Sequence, residues 1–142
     1  RADAKLTLDM CLSDRISGRI ETEAQLLDCV AEALAPCQAE PDDMHAVATL
    51  CFRNSRSAFD AGISAAMTRL RAGQDDALIT LLSIETKYDM LSGLLQCDRM
   101  EELALALSNI GPDAIARQKA QCQATTSALV LARLTPRSEG EE

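Results

Sequence analysis

Six cysteines stand singly along the chain, at Cys11, Cys29, Cys37, Cys51, Cys97 and Cys122. No two are spaced as CxxC, CxC or CxxCH. That argues against a zinc ribbon, a thioredoxin-like redox pair and c-type haem attachment. An even number of isolated cysteines in 142 residues suits three disulfides made in an oxidising compartment. The alternative is six buried thiols in a cytosolic bundle, because cysteine is also a common core residue.

The rest of the chain decides what such staples hold together. Most of its apolar residues are Ala and Leu, with Val scarce and only 6 Gly and 4 Pro. Ala and Leu favour helices, whereas strands favour Val, Ile and aromatics. The expected fold is therefore all-α, a small bundle of about five helices stapled by disulfides. A chain of this length buries about two-thirds of its unfolded surface, enough for a core. With 2% aromatic residues that core is made of small side chains, so covalent staples matter.

The net charge is -8, and there is no Trp. A nucleic-acid surface needs a basic face and often stacking rings, so that class is excluded. No apolar run approaches the roughly 18 residues of a membrane helix. Arg1, rather than Met, opens the chain, which fits a removed leader or a trimmed chain alike. No Asn-x-Ser/Thr sequon occurs, which permits a bacterial envelope origin.

Periodicity predicts a helix over Ala4 to Ile16 with Leu6, Leu8, Met10 and Cys11, ended at Ser17-Gly18. A second covers Ile20 to Ala35, with Ile20, Ala24, Leu27, Ala31 and Leu34 on one face and Pro36 as its stop. After a loop from Cys37 to Glu40, Pro41-Asp42-Asp43 opens a long helix to Arg71, lined by Phe52, Phe59, Ile63, Ala66 and Leu70. Ala72-Gly73 ends it. Asp75-Asp76 starts a helix to Cys97 whose buried stripe is Leu78, Leu81, Leu82, Tyr88, Leu91 and Leu95. Asp98 caps a shorter helix with Met100, Leu103 and Leu107 inward, and Asn109-Ile110-Gly111-Pro112 is a turn. A last helix runs from Asp113 to Leu134, with Ile115, Cys122, Leu129 and Arg133 near one face. Residues 1–134 form one helical domain, and Thr135 to Glu142 a flexible acidic tail.

Six cysteines admit many pairings, and bridged Cα atoms must lie within about 7 Å. Cys11 and Cys29 would sit roughly 27 Å apart on one straight helix. They meet only if the chain folds back at Ser17-Gly18. Cys37 and Cys51 flank a loop and a helix start, and Cys97 and Cys122 lie on antiparallel neighbours. The pairing Cys11–Cys29, Cys37–Cys51 and Cys97–Cys122 is favoured, though the sequence does not strictly choose it.

The order of cysteines resembles a family. Cys11-Leu12, then Asp28-Cys29-Val30-Ala31-Glu32-Ala33, then Pro36-Cys37, then Met44 to Cys51 is similar to the cysteine-rich envelope domain of LprI-type lysozyme inhibitors. Phe59-Asp60, the helix with Leu82, Glu85, Tyr88 and Cys97, and Cys122 with Thr125, Thr126 and Arg133-Leu134 continue the likeness over residues 11–134. Phe59 and Tyr88 stand at the family's usual Trp positions, Glu85 at its Gln, and Gly62-Ile63 at its Leu-Asn spot. The resemblance implies an exported, periplasmic or secreted helical domain whose partner is a protein, with a basic lysozyme as the candidate target.

Catalytic chemistry finds little material. His45 is the one histidine. It lies beside Asp42 and Asp43 and reads as a solvent-facing polar residue rather than a metal ligand. A nucleophile pair of His45 with Cys37 or Cys51 needs a free thiolate. The pairs Asp42-Asp43, Asp75-Asp76 and Glu101-Glu102, and the tail's Glu139, Glu141 and Glu142, read as helix-start and solvated charges. Neither a catalytic nor a metal site is assigned, and no cofactor. The reading is a non-enzymatic exported protein-binding domain, with a periplasmic structural or scaffolding domain as the alternative. Inhibitors often insert a loop into their target, and Pro36 to Asp43, Ala72 to Asp76 and Ile110 to Asp113 are the candidates.

Overall fold

A computed structural model describes residues 3–17 and 22–138, with 15–17 and 136–138 as backbone only. The described residues form five helices and no strand: α1 (Ala4–Ser17), α2 (Glu23–Gln38), α3 (His45–Gly73), α4 (Asp76–Leu107) and α5 (Pro112–Ser138). The protein is an all-α bundle held by three disulfides.

The core centres on α3 against α5, the most extensive helix pair. On α5, Ala120, Ala124, Ala128 and Ala132 recur every four residues and are all buried. A row at that spacing is one ridge of a helix surface. Because its side chains are small, α3 lies close enough for Phe52 and Phe59, one heptad apart, to fill the same cluster completely. Leu8 and Leu12 of α1 and Val30, Ala33 and Leu34 of α2 close that cluster. A second, smaller cluster joins Ala66, Met67 and Leu70 of α3, Leu82 of α4, and Val130 and Leu134 of α5. Gly62 marks a close approach: an added Cβ would lie 2.9 Å from Lys5 Cε and 3.0 Å from Leu131 Cδ2.

Local chemistry explains the starts of α2 and α4. Thr22 caps α2 in a capping box with Gln25, each satisfying a backbone N–H of the other. Asp75 caps α4, accepting from Leu78 N at 2.8 Å.

Several expected boundaries differ. Pro36 does not stop α2 but lies in its last turn. There it costs a single backbone bond, and Ala39 N–H closes the turn on Ala35 O at 2.9 Å. Pro41-Asp42-Asp43 forms a turn, with Met44 N donating to Pro41 O at 3.0 Å, and α3 starts only at His45. Asp98 caps nothing, because α4 runs unbroken through it to Leu107. On α5 the helix continues through 135–138, where a flexible tail is expected, and 139–142 lie outside the described residues. The break at Gly18 and the position of Ile20 also fall outside them.

The buried faces differ as well. In α1 it is Leu8, Cys11 and Leu12 that are buried, while Leu6 and Met10 are exposed. In α2 Cys29, Val30, Ala33, Leu34 and Cys37 point inward, and Ala24, Leu27 and Ala31 are exposed. In α3 the expected Phe52, Phe59, Ala66 and Leu70 are buried, and Ile63 packs against both clusters.

Candidate interaction surface

Helix α4 is the outlier of the bundle. Of its 32 residues only Leu82 and Cys97 are buried. It leans chiefly on α5, held there by Cys97–Cys122 and by a tight crossing at Gly93, where an added Cβ would meet Thr126 Cγ2 at 2.4 Å. Leu82, Thr86, Gly93 and Cys97 face inward. At about 3.6 residues per turn the opposite side carries Leu81, Ile84, Tyr88, Leu91 and Leu95. These five are between 46% and 65% exposed.

This corrects the expected stripe. Leu82 alone of the expected six is buried; Leu78, Leu81, Tyr88, Leu91 and Leu95 are exposed. Met100, Leu103 and Leu107 are exposed too. The physical reason is that α4 is apolar on two sides. Its inner side meets α5 through Gly93 and Cys97, small groups that permit close contact, and the bulkier side is left outward. The outer residues follow steps of three, four, three and four. This mean period of about 3.5 is that of a helix–helix seam.

The cysteines pair as Cys11–Cys29, Cys37–Cys51 and Cys97–Cys122, with Cα separations of 5.6, 5.4 and 5.6 Å. No described cysteine is free. Bonded to each other, Cys37 and Cys51 offer His45 no thiolate. His45 is half-buried, and its Nδ1 lies 3.4 Å from Arg117 Nη1. Beside Cys37–Cys51 a cavity of about 480 Å³ is lined by Ala33, Pro36, Val47, Leu50 and Ala58, with Asp3 as the ionisable group on its rim.

Arg117 is the residue that sequence reading missed. Its buried guanidinium donates to the carbonyls of Gln38, Glu40 and Pro41 at 3.2, 2.8 and 3.1 Å. It thereby holds the α2–α3 connection on α5. No local pattern marks it, since its partners lie more than 70 residues away.

The candidate loops are short. The first reduces to residues 39–44, tied by Arg117; the second to Gln74 and Asp75; the third to residues 108–111. Among the acidic pairs, Asp75 caps α4 and Asp76 lies in its first turn, while Asp42 and Asp43 sit in an exposed turn. Glu101 accepts from Lys119 Nζ at 2.9 Å, with Asp98 at 3.5 Å from the same nitrogen. That pairing, led by the Glu101 hydrogen bond, raises the Lys119 pKa above the ordinary lysine value. No group of three His, Cys, Asp or Glu able to hold a metal occurs among the described residues, and no described helix is long and apolar enough to cross a membrane.

The chain matches no family model, no curated protein and no solved structure.

Proposed function

We propose that this chain is a non-enzymatic, exported protein-binding domain whose contact surface is the outward side of α4. The observation that carries this reading is the row Leu81, Ile84, Tyr88, Leu91 and Leu95, large apolar side chains left in water on a helix with two buried residues. Contiguous apolar patches beyond a few hundred Å² are uncommon on monomers and mark interaction sites. Three disulfides support export, since they persist where thiols are not kept reduced.

The resemblance to LprI-type inhibitors nominates a lysozyme as target, and a net charge of -8 favours encounter with a basic enzyme. The test is a lysis assay with the oxidised protein against chicken-type and goose-type lysozymes. Stoichiometric inhibition that is lost on reduction supports the lysozyme target. Absence of inhibition at micromolar concentration moves the function to a periplasmic scaffolding domain, which the seam-like spacing on α4 favours. The surface itself is tested with an apolar fluorescent dye on dilute protein. Binding that Leu81→Lys with Leu91→Lys abolishes supports it, and equal dye response in both proteins rejects it.

A further inference from the structure

We propose that the outward face of α4 pairs with the same face of a second copy of this chain, as an antiparallel two-fold dimer. The inference rests on the reading of that face as a protein-binding surface and names its occupant.

Four observations carry it. The first is width. Beside the five-residue row stand Thr80, Lys87 and Leu94 on one flank and Leu78, Glu85 and Ser92 on the other. A narrow apolar row with mostly polar flanks matches one facing helix rather than a broad globular surface. The second is position. The row lies opposite the side docked on α5, so a second helix can approach without meeting α3 or α5.

The third is area. The five side chains expose on the order of 500–600 Å², and their flanks bring a pair close to the ~800 Å² per partner of a stable interface. Among homo-oligomers, the two-fold dimer is the commonest symmetry.

The fourth is charge. Continuing the heptad past Leu95 puts Asp98 and Glu102 at seam positions. A parallel pair sets each of these against its own copy, like charge on like charge, which is unfavourable. An antiparallel pair avoids that. In the register with Tyr88 on Leu91 of the partner and Ile84 on Leu95 of the partner, Glu85 comes opposite Ser92 and Lys87 opposite Leu94. One heptad in one direction, Glu85 would oppose Glu85 and Lys87 would oppose Lys87; one heptad in the other, Glu85 meets Arg99 and Lys87 meets Glu101, but Tyr88 falls on Asp98 and Ile84 on Glu102. Apolar matching along the row thus favours this register, and the seam charges favour the antiparallel orientation.

The experiment is sedimentation equilibrium of the oxidised protein from about 1 to several hundred micromolar. The expected result is a shift from the 15.3 kDa monomer to twice that mass, absent in Leu91→Lys. Leu91 is half-exposed in the monomer, so this variant keeps the wild-type helical spectrum and melting temperature. A spin label at Arg99→Cys reads orientation. An antiparallel pair in this register separates the two labelled backbone sites by about 30 Å, and a parallel pair brings them within about 15 Å. A monomer throughout the range, or the short distance, overturns the proposal. The dye test above separates the two levels. A monomer that still binds dye through Leu81 and Leu91 keeps the surface and loses only the self-pairing, whereas a monomer with no such binding loses both.

Discussion

The guanidinium of Arg117 donates to the carbonyl oxygen of Glu40 at 2.8 Å, across 77 residues of sequence. With Gln38 O and Pro41 O on the same group, three carbonyls of one connection converge on one side chain. They tie the 39–44 connection to α5, while Pro41, with no N–H to donate, keeps that stretch from continuing α2.

Truncating that side chain removes three charge-assisted bonds from one connection. Arg117→Ala is expected to lower stability by about 1–3 kcal/mol, because the bonds are lost while the solvent-facing carbonyls can turn to water. Arg117→Lys recovers only part, because an ammonium lacks the planar fork. Urea denaturation with the disulfides intact measures both. Loss in Arg117→Ala below about 0.5 kcal/mol contradicts the clamp.

Two glycines should respond oppositely to alanine. At Gly93 the new methyl meets Thr126 Cγ2 at 2.4 Å and Thr126 Cβ at 3.2 Å, so rotating the threonine does not clear it. Gly93→Ala should cost about 1–3 kcal/mol despite better helix propensity. Gly73 has nothing within 4 Å, and Gly73→Ala should gain up to about 1 kcal/mol. Thermal melts of the pair decide the matter, and a stabilised Gly93→Ala rejects the close crossing.

Accessibility orders the disulfides. Cys122 is half-buried, whereas the cysteines of the other two pairs are all buried. Limited reduction followed by alkylation and peptide mass mapping should therefore label Cys97 and Cys122 first. Replacing both with Ala should cost about 3 kcal/mol by the chain-entropy account. First labelling at Cys37 or Cys11 contradicts this order.

Lys119 binds its proton more tightly folded than unfolded, because Glu101 and Asp98 hold the ammonium. Its stabilisation is therefore fully present below the ordinary lysine pKa of 10.5 and fades as pH rises through the higher folded value. Exposure and salt keep the effect below about 1 kcal/mol. Lys119→Met should be slightly less stable than wild type at pH 7 and should approach it once the pH has risen past the raised folded pKa of Lys119. A gap that is constant with pH assigns the loss to packing instead.

Helix content, disulfide-compatible cysteine spacing and the start of α4 at Asp75-Asp76 were legible in the chain, because propensity and capping act within a few residues. Phe52, Phe59, Ala66 and Leu70 were legible as core because α3 has one apolar face. The surface on α4 was not. Leu81, Tyr88, Leu91 and Leu95 carry the periodicity of a buried stripe, and periodicity marks an apolar face of a helix without saying whether the chain buries it. Within the monomer that choice was made by α5, whose Thr126 and Cys122 fit Gly93 and Cys97 and so turned the bulkier face of α4 outward. Pro36 and Arg117 belong to the same class. Pro36 sits in the last turn of α2, which the Cys37–Cys51 bond and the Arg117 hydrogen bond to Gln38 O tie to the rest of the fold, and neither partner is near it in sequence. Local sequence determined the helices and the chemistry at their ends. Long-range packing, where shape and unpaired backbone groups must be satisfied together, decided which faces meet and which remain exposed.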